Sequence, residues 1–356
     1  MVAEPYQHEA YGAQDGARLV ADIGGTNARF ALETAPGHIE AVATLPCAAY
    51  AQFTDAVRAY LGGHAGKRVR HAAIAIANPV DGDLVKMTNH CWEFSIERAR
   101  TELGLDTLLV VNDFAALAMS VPQLAAQDLV QVGGGAAAAD AVIGLVGAGT
   151  GLGVAGLIPA GGSWTVLQSE GGHAAFSPCD AREQAILEFC WQRWDHVSAE
   201  RLVSGPGLSL IHEALAASKG LRAPVLDPAV IVERGLDGSD VLCAEVLDVF
   251  CGMLGTVAAN VAVTLCARGG IYIGGGVVPR LGEWFARSPF RARFENKGRF
   301  SSYNARIPCF VIHASCPALA GAAALLQQHL AQQQQEQQEQ PQRRERDGTE
   351  ARHAHA

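Results

Sequence analysis

Two glycine-rich turns and a few polar side chains at strand ends carry the chemistry open to this chain. The first turn lies in LVADIGGTNARFALET, Leu19 to Thr34. Gly24 and Gly25 interrupt an apolar, extended-favouring run; such a pair permits positive φ and exposes backbone N–H groups. Held in a concave turn, those groups form an anion nest. Thr26 and Asn27 add side-chain donors. Asp22 ends the first strand, where a carboxylate could hold a magnesium ion and its waters beside a polyphosphate. An ordinary glycine hairpin carrying a surface Asp has the same composition.

The pattern returns in AVIGLVGAGTGLGVAGLI, Ala141 to Ile158. A strand meets a turn, Gly147 to Gly153, containing Thr150, and a second strand follows. Gly151 to Gly156 matches G-x-G-x-x-G, but these glycines run into a strand instead of opening a helix, so this is no dinucleotide fingerprint. No G-K-[ST] occurs, which excludes a Walker A loop. Two strand–turn–strand units point to two similar halves, each offering one phosphate-binding turn. A third glycine run, Gly274 to Gly276 in IYIGGGVVPR, suits either a flat surface against adenine or ribose or a tight strand-to-helix turn.

The acid–base candidates lie elsewhere. Asn112 and Asp113 stand where a short apolar strand meets a helix; an Asp there is well placed for chemistry, although as an isolated motif it reads first as a helix cap. In SEGGHAAFSP, Glu170 and His173 flank two glycines; a carboxylate and an imidazole together suit vicinal sugar hydroxyls. Zinc competes weakly there, with two ligands and no third. Asn78 before Pro79 ends a buried strand, where ligands of α/β sheets gather, although a turn-forming Asn reads the same way. MTNHCWEFS, Met87 to Ser95, is either a polar sugar-facing loop or a surface loop pinned by Trp92. Glu200 alone reads as a solvated face.

The elements that must position these groups follow from periodicity. Strands are expected near 19–23, 28–34, 38–45, 72–77, 108–111, 142–146, 154–158 and 271–273, with a last strand in ARIPCFVIHA. Helices are expected over 50–61, 96–103 with Ser95 as N-cap, 114–119, 180–194, 209–217, 241–267 ended by Gly269-Gly270, and 318–330. Residues 123–140 read as loop.

The length, 356 residues, suggests about two domains, and 49% hydrophobic residues supply a sizeable core. A net charge of -9 argues against nucleic acid as partner. Nine scattered cysteines with no C-x-x-C pair read as reduced, mostly buried thiols of a cytoplasmic protein. The first residues show no signal-peptide pattern. The apolar stretch 241–267 contains Glu245, Asp248 and Asn260, so it reads as a core helix and not a membrane span.

Taken in order, DIGGTNARFAL, TNHCWEFS, NDFAALA, GAGTGLGVAGLI, EGGHAAFSP, HVSAERLVSGPG, IYIGGGVVPR and PALAGAAALL resemble bacterial glucokinases of the hexokinase/actin/Hsp70 ATPase superfamily, over roughly Arg18 to Leu330. The resemblance implies an α/β, two-domain actin-like ATPase (ribonuclease H-like) fold with a deep interdomain cleft. It implies a small domain, 18–123, completed by the helix 317–330, and a large domain, 124–316; outside it, residues 1–17 read by composition as a flexible arm and the low-complexity Gln-rich run 331–356 as a disordered tail. It implies ATP-dependent phosphorylation of D-glucose at the 6-hydroxyl, with ATP and Mg2+ as cofactors and a homodimer as assembly.

By the same resemblance, Ala21, Asp22, Ile23, Gly24, Gly25, Thr26 and Asn27 form the first phosphate loop, with Asp22 steering magnesium through water. Gly149 and Thr150 form the second, and Gly275 and Gly276 lie by the adenosine. Asn89, Asn112, Asp113, Glu170, His173 and Glu200 bind the sugar, and Asp113 is the general base. Ala115 stands where many relatives carry Glu, a side chain the mechanism does not need.

A sugar kinase of another hexose preference is one alternative. A sugar-responsive repressor is another, disfavoured by the short arm before Arg18 and the scattered cysteines. A non-enzymatic actin-like or chaperone ATPase would have no reason to carry Glu170, His173 and Glu200.

Overall fold

The computed structural model describes residues 16–87, 90–222 and 224–353, with side chains described to residue 339. They fall into two compact units. One runs to Gln123 and resumes at Cys316; the other is Leu124–Ser315.

The first unit opens with β1 (Ala17–Ile23), β2 (Asn27–Ala35) and β3 (His38–Pro46), an antiparallel meander. There follow α1 (Phe53–Gly62), β4 (Val69–Ile76), the small hairpin β5 (Leu84–Lys86) and β6 (Glu93–Ser95), α2 (Ile96–Glu102), β7 (Thr107–Asn112) and α3 (Asp113–Ser120). Ser95 Oγ accepts the Arg98 N–H at 3.1 Å and caps α2. Among the described residues the main sheet has the order β3-β2-β1-β4-β7, with β1, β4 and β7 parallel.

The central strand β1 is apolar on both faces because both are covered. Leu19, Ala21 and Ile23 pack with Phe30, Phe53 and Trp92. Val20, on the opposite face, packs with Ala31, Ala73 and Ala75.

The second unit contains β8 (Leu129–Val132), β9 (Ile143–Ala148), β10 (Leu152–Ala160) and β11 (Ser163–Ser169). Helices α4 (Ala181–Trp191), α5 (Ala199–Leu202), α6 (Gly205–Ser218), α7 (Pro228–Asp237) and α8 (Val241–Leu265) come next. Then come β12 (Ile271–Gly274), the short α9 (Val278–Leu281), α10 (Glu283–Arg287), α11 (Phe290–Glu295) and α12 (Ser301–Ala305), and β13 (Cys309–Ile312). The sheet order is β11-β10-β9-β12-β13-β8 among the described residues. Its first five strands repeat the first unit: two antiparallel pairings, then two parallel ones. The last helix, α13 (Pro317–His353), returns to the first unit, where Ala318, Leu319, Ala322, Ala323 and Leu326 cover Val20, Ala73 and Ala75. Small residues on both surfaces let that helix approach closely.

α8 is long and apolar enough to cross a membrane by composition alone. Phe250, Met253 and Leu254 lie fully buried in the second unit's core, so its hydrophobicity is spent on packing.

Several expectations need correction. Residues 123–140 are not all loop: LVQV forms β8, paired antiparallel with β13. Its four residues show too little alternation to announce a strand. α8 ends at Leu265, and Cys266, not a glycine, takes the left-handed cap at φ 51°. Neither Gly24 nor Gly25 has positive φ. Ala17 already belongs to β1, and residues 1–15 of the expected arm lie outside the described residues. α13 runs unbroken past Leu330, through residues expected to be disordered. Gln, Glu, Ala and Arg are good helix formers, and low complexity does not prevent a helix.

Candidate functional site

In the first unit, strand register aligns the candidate residues. Ile23 of β1 stands opposite Ile76 of β4, and Ile76 opposite Asn112 of β7. The first glycine turn, Asn78 and Asp113 therefore all leave the carboxyl edge of the same three parallel strands, where α/β sheets present ligands. Gly24 N–H donates to Asn27 O at 3.0 Å, and Cys47 N–H to Thr26 O at 2.9 Å. These bonds close the turn without left-handed backbone. A Cβ added to Gly24 would meet only Asn27 O, 3.8 Å away, so that face is open to a ligand. The side chains of Ala21 and Ile23 are buried in the core and can contribute through backbone alone.

Asp22 pairs with Arg29 across β1 and β2, Oδ2 to Nη1 3.4 Å. Burial holds its carboxyl above the ordinary carboxylate range, against the pull of the Arg29 guanidinium. An ionised, poorly solvated carboxylate is a fit partner for a hard cation. Among the described residues no cluster of three or more His, Cys, Asp or Glu forms a cation cage. A cation at Asp22 would need phosphate oxygens and water to fill its shell, which suits magnesium.

Asn112, not Asp113, caps α3. Its Oδ1 accepts from Phe114 N–H at 2.9 Å and Ala115 N–H at 3.2 Å, and its Nδ2 donates to Asn78 O at 3.2 Å. This carboxamide serves the strand–helix corner first. Asp113 is the first residue of α3, half-buried, with Oδ1 accepting the Phe114 N–H at 2.8 Å. Asn89 lies outside the described residues. Neighbouring Trp92 is buried and donates Nε1–H to Tyr50 O at 3.0 Å.

In the second unit, the turn between β9 and β10 is held by Gly149 N–H to Gly151 O at 2.8 Å and Gly205 N–H to Gly149 O at 2.7 Å. A Cβ on Gly149 or Gly276 would meet nothing within 4 Å, and Thr150 is exposed. Gly275 differs: it has φ +81° and its Cα packs on the Ala148 backbone. Packing alone demands glycine there, and Val277 N–H to Ala148 O at 3.1 Å completes the contact.

Glu170, His173 and Glu200 come together in this unit. His173 Nδ1 lies 3.8 Å from Glu200 Oε1, and Nε2 lies 3.9 Å from Glu170 Oε2. These separations exceed hydrogen-bond length. Glu170 and His173 are both exposed, with side chains 64% and 61% accessible, so a ligand's hydroxyls can reach them. Gly171 and Gly172 press the loop onto Val154 and the Leu152 carbonyl. Glu200, read alone as a solvated face, is half-buried: its Oε2 accepts the Leu152 N–H at 3.0 Å. Any side chain at Gly151 would enter that carboxylate. Sequence reading missed the roles of Gly151, Leu152 and His196. The spacing of Gly149, Gly151 and Gly153 was the visible signal for the first.

A glucokinase family model matches residues 19–329. The chain belongs to the glucokinase family. Within that family it is 55% identical over 313 residues to the glucokinase of Neisseria meningitidis serogroup B, covering 88% of this chain and 95% of that one. It is 58% identical over 318 residues to the bifunctional protein glk of Paraburkholderia xenovorans, covering 89% of this chain and 50% of the relative. The chain thus spans about half the length of the bifunctional relatives it matches. Among solved structures, a glucokinase from an Antarctic psychrotroph superimposes with a TM-score of 0.80 at 37% identity, over 87% of this chain and 98% of that one.

Proposed function

We propose that this chain is an ATP-dependent glucokinase, transferring the γ-phosphoryl group of ATP to the 6-hydroxyl of D-glucose. Membership of the glucokinase family supports this reading. The observation that carries it is Glu200, whose carboxylate joins a sugar-type polar set to a phosphate-type glycine turn. The two units, with their repeated strand order, fit the actin-like ATPase (ribonuclease H-like) fold.

Phosphoryl transfer passes through a loose in-line transition state, so positioning and charge neutralisation do most of the work. Glu170, His173 and Glu200 orient the hexose ring. With the Gly24 and Gly149 N–H groups committed inside their turns, the N–H groups of Gly25, Thr26 and Thr150 take the phosphates, and Gly276 offers a flat surface to the adenosine. Asp113 accepts the proton of the 6-hydroxyl as the new bond forms. Asp22 would hold magnesium through water, and the ion would supply positive charge beside the phosphates. Asn112 supports Asp113 from the strand–helix corner, and Asn89 completes the sugar set.

The enzyme acts as a cytoplasmic homodimer. Every cysteine among the described residues is free, which suits a reducing compartment. A coupled assay for ADP release, run over a panel of hexoses and phosphoryl donors, tests the function. Glucose-dependent ADP release is expected. ADP release indifferent to sugar, or none, rejects it. Sedimentation tests the dimer.

A further inference from the structure

Residues 196–205 connect the two ligand loops of the second unit. At one end they are tied to the loop of His173. His196 Nε2 donates to His173 O at 3.0 Å, Phe176 N–H donates to Val197 O at 2.8 Å, and Ala199 N–H donates to Ala174 O at 2.9 Å. Ala175 and Ser198 add an antiparallel bridge. At the other end the same segment grips the second glycine turn. Glu200 Oε2 accepts the Leu152 N–H at 3.0 Å, and Gly205 N–H donates to Gly149 O at 2.7 Å.

Six of the segment's ten residues are packed into the unit. Val197, Ser198, Ala199, Leu202, Val203 and Ser204 are buried, and a close-packed interior transmits displacement and does not absorb it. Glu200 lies on it with its oxygens divided: Oε1 faces His173 Nδ1 across 3.8 Å, and Oε2 is committed to Leu152.

We infer that residues 196–205 form a strap coupling sugar occupancy to the geometry of the nucleotide turn, with Glu200 as the positioning residue. The inference rests on the functional reading above and adds to it a route of communication. A hydroxyl that engages Glu200 Oε1 fixes the carboxylate, and through Oε2 fixes the Leu152 amide at the exit of the turn. All the atoms concerned belong to the second unit, so this coupling needs no displacement of the first. Binding free energies couple reciprocally, so bound nucleotide tightens sugar equally.

The test uses the full chain, Glu200→Ala, Glu200→Gln and Glu170→Ala. Calorimetry measures binding of Mg2+ and a non-hydrolysable ATP analogue, with and without saturating glucose. Hydrogen exchange reads the Leu152 amide in the ligand-free protein. Saturating glucose is expected to tighten nucleotide binding to the wild type about fivefold or more, the lower end of ordinary coupling; Glu200→Ala is expected to lose that tightening and to speed Leu152 exchange. Glu200→Gln keeps an acceptor for Leu152 and should restore both. Glu170→Ala should lose sugar affinity but keep sugar-free nucleotide affinity. If the wild type binds both ligands but glucose leaves its nucleotide affinity unchanged, or if Glu200→Ala keeps the glucose-dependent tightening, the strap is overturned while the kinase reading stands. If the wild type binds neither ligand, both fall together.

Discussion

Gly321 of α13 packs directly on the carbonyl of Ala116 in α3, the helix that begins at Asp113. A Cβ there would overlap that carbonyl and come within 3.0 Å of the Ser120 amide. Gly321→Ala must therefore push the two helices apart. Overpacking of this kind costs about 1–3 kcal/mol. Urea unfolding should show a lower midpoint with an unchanged slope. Turnover should fall too, because α3 carries Asp113; full stability would mean that the helices separate freely.

Asp113→Asn should leave glucose affinity nearly intact and lower kcat by about 100- to 10,000-fold, the ordinary contribution of a general base. Sugar titration set beside steady-state turnover separates the two quantities. Near-normal turnover would remove Asp113 from the proposed role.

In the proposed role Glu170 accepts from sugar hydroxyls that leave water on binding, and Glu170→Gln takes the charge from that acceptor. Hydrogen bonds to charged groups contribute about 1.5–3 kcal/mol, so glucose affinity should drop by an order of magnitude or more. Calorimetry reads this directly, and unchanged affinity contradicts the assignment.

Asp22 links stability to pH. Its folded pKa is raised by burial above the ordinary 3.8. Between 3.8 and that higher value the folded state binds more protons than the unfolded one, so stability falls as pH rises through this window. At neutral pH the ionised group is a standing cost. Asp22→Asn should accordingly raise the melting temperature of the ligand-free protein at pH 7 while weakening binding of magnesium with nucleotide. A lower melting temperature would show that the Arg29 pair outweighs desolvation.

Thiol reagents should distinguish the cysteines. Cys91, Cys179 and Cys266 are exposed. Burial pushes the Cys251 and Cys309 thiols up to about 12, which leaves almost no thiolate to react. Mass spectrometry after native alkylation should find label on the exposed three and none on Cys251 or Cys309 until the chain is unfolded.

Much of this architecture was legible in local sequence. The run Leu19 to Ile23, a glycine pair and the alternation after Ala28 specify β1, its turn and β2, since strand period and turn chemistry act over a few residues. Ser95 and Asn112 announce helix starts for the same reason, although Asn112, not the more acidic Asp113, proved to be the cap. β8 was hidden because four residues carry little period. The left-handed Cys266 was hidden because cysteine carries no local signal for a position that glycine or asparagine usually fills.

By itself the sequence determined where most strands, the glycine turns and the longer helices lie, and it marked Asp22, Asp113, Glu170 and His173 as candidates for chemistry, while Glu200 entered through the family resemblance. Tertiary structure alone decided which of them meet. Sheet order and register bring Ile23, Ile76 and Asn112 to one level, and packing of α5 against the β9–β10 turn turns Glu200 from a surface acid into the partner of Leu152. Local propensity acts within a turn or two of chain. Contacts between residues distant in sequence come from burying surfaces against each other, and no local pattern encodes which surfaces those are.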